Sequence, residues 1–285
     1  MFKRTSSPKS VVGVHITDSR VRIVEIDKDK KVLKEPVEKE ITPQTKSDIL
    51  REIVIGSGLS GKDTVGCLGV NDALLKVKRY PPTLSKKDLQ DAIQNWVKIE
   101  LSTTKEEMLY DVYLDNVPKS DGKLPAILVM TRKTTADELQ NLLVSSGLRL
   151  QILDYEIVSI VNFCLEEKVP DPFAVLYVDE TYALLVGYSA GNITHYFFHF
   201  NMQEHIINDD IELLESFFAE VRNIATLNDI RSFYLAGPVI DYDSLLDSFM
   251  QNLSILGILE PEAVPQGFRG KMFIPYSLCL RGLEK

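Results

Sequence analysis

The chain has 285 residues, 45 % of them apolar and 26 % charged, with a net charge of −9. That balance belongs to a soluble globular protein long enough for about two domains. It lacks the basic surplus of a nucleic-acid binder, and an acidic chain has little attraction to an anionic lipid surface.

Residues 1–10 are basic and polar without an apolar core, so they do not form a secretion signal. No run approaches the ~18 apolar residues of a membrane span. Cys67, Cys164 and Cys279 are far apart and odd in number, with no metal-ligand spacing. They read as buried free thiols of a reducing compartment.

Residues 11–27 read as strand, turn, strand: Val12, Val14 and Ile16 alternate with Gly13 and His15, and Thr17-Asp18-Ser19-Arg20 supplies the turn. Apolar groups fall on both faces of the second strand. A third extended run is expected over 31–41. Residues 47–56 have helical spacing through Ile49, Leu50, Ile53 and Val54, with Ser47 as cap, and 63–70 is a short buried strand. Residues 74–150 then read β-α-β-β-α: a strand ending at Pro81-Pro82, and a helix capped by Ser85 with Leu89, Ile93, Trp96, Val97 and Leu101 along one side. Strands follow over 110–117 and 124–131 around the turn Ser120-Asp121-Gly122, then a helix closed by Gly147. A last strand at 150–153 and a helix at 155–167 follow, and residues 169–172 form a linker.

The opening pattern then recurs. Residues 174–178, 183–188 and 193–200 are three strands around a turn carrying Gly191. A helix over 209–227 buries Ile211, Leu214, Phe217, Phe218, Val221 and Ile224. A strand at 233–236 and a helix at 243–253 follow. Val264 and Pro265 are placed at a sheet edge, and 277–283 forms a terminal helix. A repeated β-β-β-α-β unit predicts two related α/β domains facing each other across a cleft. The expected division is 1–73 plus 150–171 for the first domain and 74–149 for an inserted α+β subdomain. Residues 172–275 form the second domain, and 276–285 a closing helix that returns to the first.

The run Gly13-Val14-His15-Ile16-Thr17-Asp18-Ser19-Arg20-Val21-Arg22-Ile23-Val24-Glu25-Ile26 resembles the opening of the PilM family of type IV pilus assembly proteins, in the actin-like ATPase superfamily. Tyr80-Pro81 before the Ser85 helix, residues 142–148 with Ile152-Leu153-Asp154, Leu176-Tyr177-Val178-Asp179, Tyr234-Leu235-Ala236-Gly237 and residues 278–283 continue the resemblance in order. It implies an α/β fold of actin-like (ribonuclease H-like) type: two domains from a duplicated βββαβα unit with an inserted subdomain. It further implies a nucleotide site at His15, Thr17, Ser19, Asp179, Thr181 and Gly237.

The chemistry of that site is altered. His15 and Thr17 replace the family's first-loop aspartate and glycine, and His15 reads as a lone histidine plugging the site. The second loop, Asp179-Glu180-Thr181-Tyr182, is about two residues short and loses amides that would cradle phosphate. Glu180 is expected to add a repelling charge, and Gly237-Pro238 replaces paired glycines. The expected outcome is lost or weak ATP and magnesium binding, no hydrolysis, and no required cofactor. The resemblance implies a cytoplasmic scaffold at the inner membrane of a pilus or type II secretion-like complex. Its partner would be the cytoplasmic N-terminal peptide of a PilN-like single-span membrane protein, with an assembly ATPase as a further partner and no nucleic acid. The other reading is an ATP-binding actin-like switch or weak ATPase.

Gly56-Ser57-Gly58-Leu59-Ser60-Gly61-Lys62 imitates a Walker A loop. It joins a helix to a strand, the reverse of what that motif needs, and Asp63 replaces the magnesium-binding hydroxyl. His195 and His199 would stand about 13 Å apart on one strand face. No cysteine or carboxylate completes a metal set around them and His205. Trp96 reads as a core residue, the alternative being an anchor in a partner's groove.

Overall fold

The computed structural model describes residues 9–115, 118, 121–208 and 211–284. The expected turn residue Ser120, strand end Val117 and helix start Asp209 lie outside them. In chain order the first part comprises β1 (Ser10–Ile16), β2 (Arg20–Asp27), β3 (Val37–Glu40), α1 (Lys46–Gly56) and β4 (Asp63–Leu68). Next come β5 (Ala73–Tyr80), α2 (Lys86–Ser102), β6 (Met108–Leu114), β7 (Leu124–Arg132) and α3 (Lys133–Ser145), then β8 (Arg149–Tyr155) and α4 (Glu156–Glu166). The second part comprises β9 (Phe173–Val178), β10 (Tyr182–Ser189), β11 (Asn192–His199), α5 (Met202–Asn208), α6 (Ile211–Leu227) and β12 (Phe233–Ala236). A 3-10 turn (Pro238–Asp241), α7 (Asp243–Asn252), β13 (Ile255–Ile258) and α8 (Phe273–Leu283) close the chain.

Two five-stranded sheets share one topology, β3-β2-β1-β4-β8 and β11-β10-β9-β12-β13. In each, the first three strands pair antiparallel and the last two join in parallel. The β-branched and aliphatic runs that fill β1, β2, β9 and β10 are buried on both faces, which places them inside their sheets. The repeat read from the sequence is therefore a repeat in space. A third sheet, β5-β7-β6, carries α2 on one face, where Trp96, Val97 and Leu89 close on Ala126, Leu128 and Met130. Trp96 is core, and its Nε1 donates to Glu100 at 2.9 Å. Ser85 caps α2 by accepting from the Asp88 amide.

The largest core runs through both parts and includes α4 and α8, whose Phe163 and Phe273 rings lie 4.4 Å apart. Helix α8 packs against β1, β2 and β4. It approaches β1 so closely that a Cβ on Gly13 would stand 1.9 Å from the Pro275 carbonyl oxygen. A second core under β9–β12 gathers Phe198, Phe217, Phe218 and Phe249.

Several expected boundaries move. The third strand shrinks to β3, because the chain from Lys31 loops out and makes a single Val32–Ile26 bridge to β2 before Pro36, which has no amide to donate. Helix α1 starts at Lys46 after Thr45, whose hydroxyl is engaged with Thr42, and Ser47 is exposed. Helix α8 begins four residues before the expected Ser277, since Pro275 falls in its first turn, where no amide is needed. Helix α5 was not expected; the Met202 amide donates to the Glu180 carbonyl at 2.7 Å and holds it against the β9–β10 turn. The sheet edge falls at β13 and not at Val264-Pro265. Val264 is buried in a turn, its amide donating to the Pro261 carbonyl.

Candidate functional site

In an antiparallel sheet, residues directly opposite one another share a face. His15 on β1 pairs with Arg22 on β2, and Arg22 pairs with Glu38 on β3, so the three form a row across the first sheet. The turn after β9 delivers Asp179 and Glu180 to this row. Arg22 has no exposed surface; it donates from Nη1 to Asp179 Oδ2 at 2.7 Å and from Nε to Glu38 Oε1 at 3.0 Å. Its Nη2 faces Glu180 Oε1 at 3.5 Å. Arg20 donates to Glu180 Oε2 at 2.8 Å, and Lys271 lies 3.2 Å from Glu38. Tyr177 donates to Asp179 at 2.8 Å.

These contacts overturn one expectation: Glu180 is not a bare repelling charge, because Arg20 and Arg22 neutralise it. His15 is buried, its Nε2 faces Glu156 Oε1 across 3.7 Å, and one ligand atom each of His15, Glu156 and Asp179 lie within 4.8 Å of one another. Glu156, at the start of α4, accepts from the Tyr182 hydroxyl and, at 3.1 Å, from the Val70 amide.

Burial sets the protonation states. It lowers the His15 pKa to about 4, with Asp179 pulling up and Arg22 pushing down. It raises Glu156 to about 8, against the Tyr182 hydrogen bond. At neutral pH both groups are uncharged, so their approach is not an ion pair. Burial also pushes Asp179 up, but Arg22 and His15 outweigh it and hold the carboxyl below its ordinary value.

A cleft of about 620 Å³ opens beside this cluster. His15, Ile16, Thr17 and Asp18 line it from the first hairpin, Leu139 and Leu142 from α3, and Thr181, Tyr182 and Phe197 from the second part. Tyr182 and Phe197 stack with centroids 5.9 Å apart. Of the site residues named from the sequence, His15 and Asp179 meet in the cluster, and Thr17 and Thr181 line the cleft. Thr17 Oγ1 accepts from the amides of Ser19 and Arg20, and the Ser19 carbonyl accepts from Ile41. Gly237 has φ +93°, and a Cβ there would stand 2.7 Å from the Val178 carbonyl oxygen. Arg20, Arg22, Glu38, Glu156, Tyr182 and Lys271 were missed. The one signal available was an arginine inside a strand with apolar groups on both faces.

No family model and no curated relative matches the chain. Solved structures do. The chain is similar to a structure described as a PilM–PilN type IV pilus biogenesis complex, at 16 % identity and a TM-score of 0.77, over 96 % of this chain and 99 % of that one. It is similar to the ethanolamine utilization protein EutJ from Carboxydothermus hydrogenoformans, at 11 % identity and a TM-score of 0.56, over 97 % and 91 % of the two chains. A protein of unknown function with an actin-like ATPase fold from Bacteroides thetaiotaomicron matches at 11 % identity and a TM-score of 0.52, over 98 % of each chain. At these identities the likeness concerns the fold, which is the actin-like one expected from the sequence.

Proposed function

We propose that this chain is a non-enzymatic cytoplasmic scaffold of a pilus or secretion assembly complex. It takes an extended peptide from the cytoplasmic N-terminus of a PilN-like, single-span membrane protein, which holds it at the inner membrane. The carrying observation is the likeness, over nearly the whole of both chains, to a structure described as a PilM–PilN complex. No helix among the described residues is long and apolar enough to cross a membrane, consistent with attachment through a partner. The cleft suits an extended segment: Ile16, Leu139, Leu142 and Phe197 offer apolar contacts.

The actin-like fold implies a nucleotide and magnesium, and the residues here do not fit them. The Ser19 and Arg20 amides are spent on Thr17 Oγ1, and the Asp179 and Glu180 amides on the Tyr182 carbonyl and the Asp179 carboxylate. The gap between the two hairpins is spanned by Arg22 and its carboxylates. Behind Gly237 the backbone is closed in: a Cβ on Gly270 would meet the Gly237 carbonyl oxygen at 2.4 Å.

The test uses a labelled peptide of the residues preceding the membrane span in the protein encoded directly downstream. We expect saturable binding by fluorescence anisotropy, weakened at least ~10-fold by Leu139→Glu or Phe197→Ala, about 1.4 kcal/mol. Magnesium and ATP should leave the melting temperature unchanged. A nucleotide bound at 100 times its dissociation constant would stabilise the fold by about 2.7 kcal/mol. Such a shift, with no peptide binding, would favour the nucleotide-switch reading and overturn this one.

A further inference from the structure

Among the described residues, six strands form the outer edges of the three sheets: β3 and β8, β11 and β13, β5 and β6. An outer edge offers unpaired backbone groups to any other strand, and proteins blunt it with shortness, charge or proline. Five of these edges are blunted. β3 and β13 have four residues each; β5 carries Lys76, Lys78 and Arg79, β6 carries Asp111, and β8 carries Arg149 and Asp154. β11 is the exception. Its eight residues, Asn192–His199, include no lysine, arginine, aspartate, glutamate or proline.

The turn before β11 fixes which of its backbone groups are free. Ala190 and Gly191, at φ +49° and +78°, make the two-residue turn between β10 and β11, and Ser189 pairs with Asn192 across it. The pair that closes such a turn is hydrogen-bonded, and bonded pairs then alternate along an antiparallel ladder. Asn192, Thr194, Tyr196 and Phe198 therefore bond to β10, while Ile193, His195, Phe197 and His199 turn their amides and carbonyls outward. Among the described residues no hydrogen bond reaches those outward groups. His199 and Phe197 are exposed and His195 is half-buried, so this half of the edge stands open to solvent.

We propose that β11 is a self-association edge: two copies of this chain pair their β11 strands antiparallel about a two-fold axis, joining two five-stranded sheets into one. The strip itself selects this occupant. A foreign strand is chosen by side-chain pockets and by complementary charge, and β11 has no lysine, arginine, aspartate or glutamate with which to choose one. Two chains of net charge −9 repel over most of their surfaces, so a contact between copies belongs on a strip without carboxylates. One register pairs all four outward residues at once. It sets Ile193 against His199 of the second copy and His195 against its Phe197, and Tyr196 meets its own counterpart on the axis. The two strands then exchange about eight backbone hydrogen bonds. The contact goes beyond the peptide reading, since neither His195 nor His199 lines the cleft.

The test is sedimentation velocity of the full-length protein over a range of concentrations at pH 8, with circular dichroism to check that each variant folds. A monomer–dimer equilibrium is expected, tightening as salt rises because screening relieves the repulsion between two acidic copies. His195→Pro removes an outward amide that β10 does not use, where an edge strand tolerates proline, and should weaken the dimer more than ~10-fold. His199→Lys adds a charge at an exposed edge position and should weaken it likewise. It decides the matter where His195→Pro fails to fold. Leu256→Lys, at an exposed position of β13, should leave the dimer unchanged. A monomer at every concentration up to ~100 μM overturns the proposal. So does a dimer that both β11 variants leave intact, one that Leu256→Lys disrupts, or one that dissociates as salt rises, each of which would place the contact elsewhere.

Discussion

Replacing Arg22 by methionine tests whether the buried charge row holds the two parts of the molecule together. The guanidinium makes charge-assisted hydrogen bonds to Asp179 at 2.7 Å and Glu38 at 3.0 Å with no exposure to water. Each such bond contributes about 1.5–3 kcal/mol net. Methionine fills the apolar part of the volume but leaves Asp179, Glu180 and Glu38 clustered, with only Arg20 and Lys271 to balance them. Removing one partner of a buried ionic network costs about 3–5 kcal/mol, mostly as the penalty on the charges left behind. We expect that loss in urea unfolding at pH 7. In a double-mutant cycle, Arg22→Met combined with Asp179→Asn should cost less than the sum of the two, by about 0.5–3 kcal/mol. A loss below about 1 kcal/mol, the value of a surface pair, would refute the reasoning. Additive effects would show that Arg22 and Asp179 do not act together.

Gly237→Ala should destabilise by at least about 1–3 kcal/mol in thermal or urea unfolding, because φ +93° is a glycine conformation and the Val178 carbonyl leaves no room for a Cβ; an unchanged midpoint would contradict this. Burial alone would raise the Glu38 carboxyl, but Arg22 and Lys271 outweigh it and hold the pKa below the ordinary value of 4.5. Its contribution to stability is therefore fully present above that value and is lost as pH falls toward the depressed one. The stability curves of the unmodified protein and Glu38→Gln should accordingly separate at neutral pH and converge on acidification; a constant gap would be the wrong sign of linkage. Leu128→Ala, at a fully buried position between β7 and α2, should cost about 2–5 kcal/mol. Hydrogen exchange should show the loss first in residues 73–132, and uniform loosening of all three sheets would argue against a separate small core.

The repeated hairpins, the helix capped by Ser85 and the core position of Trp96 were legible because they rest on local rules: alternation in strands, spacing of three and four in helices, and a cap beside its amide. What the pattern could not say is which charges meet. Arg22 lies in the sequence on a strand with apolar groups on both faces, but only the register sets it between His15 and Glu38, and it gains Asp179 only because the second sheet folds against the first. Glu156 opens a helix with no motif around it, and its link to His15 spans most of the first part of the chain. Periodicity is a short-range property of the backbone, whereas desolvation and charge pairing depend on which distant segments exclude water together. The sequence thus determined the architecture; tertiary packing alone decided that its cleft would be bridged by buried arginine and an unsatisfied histidine.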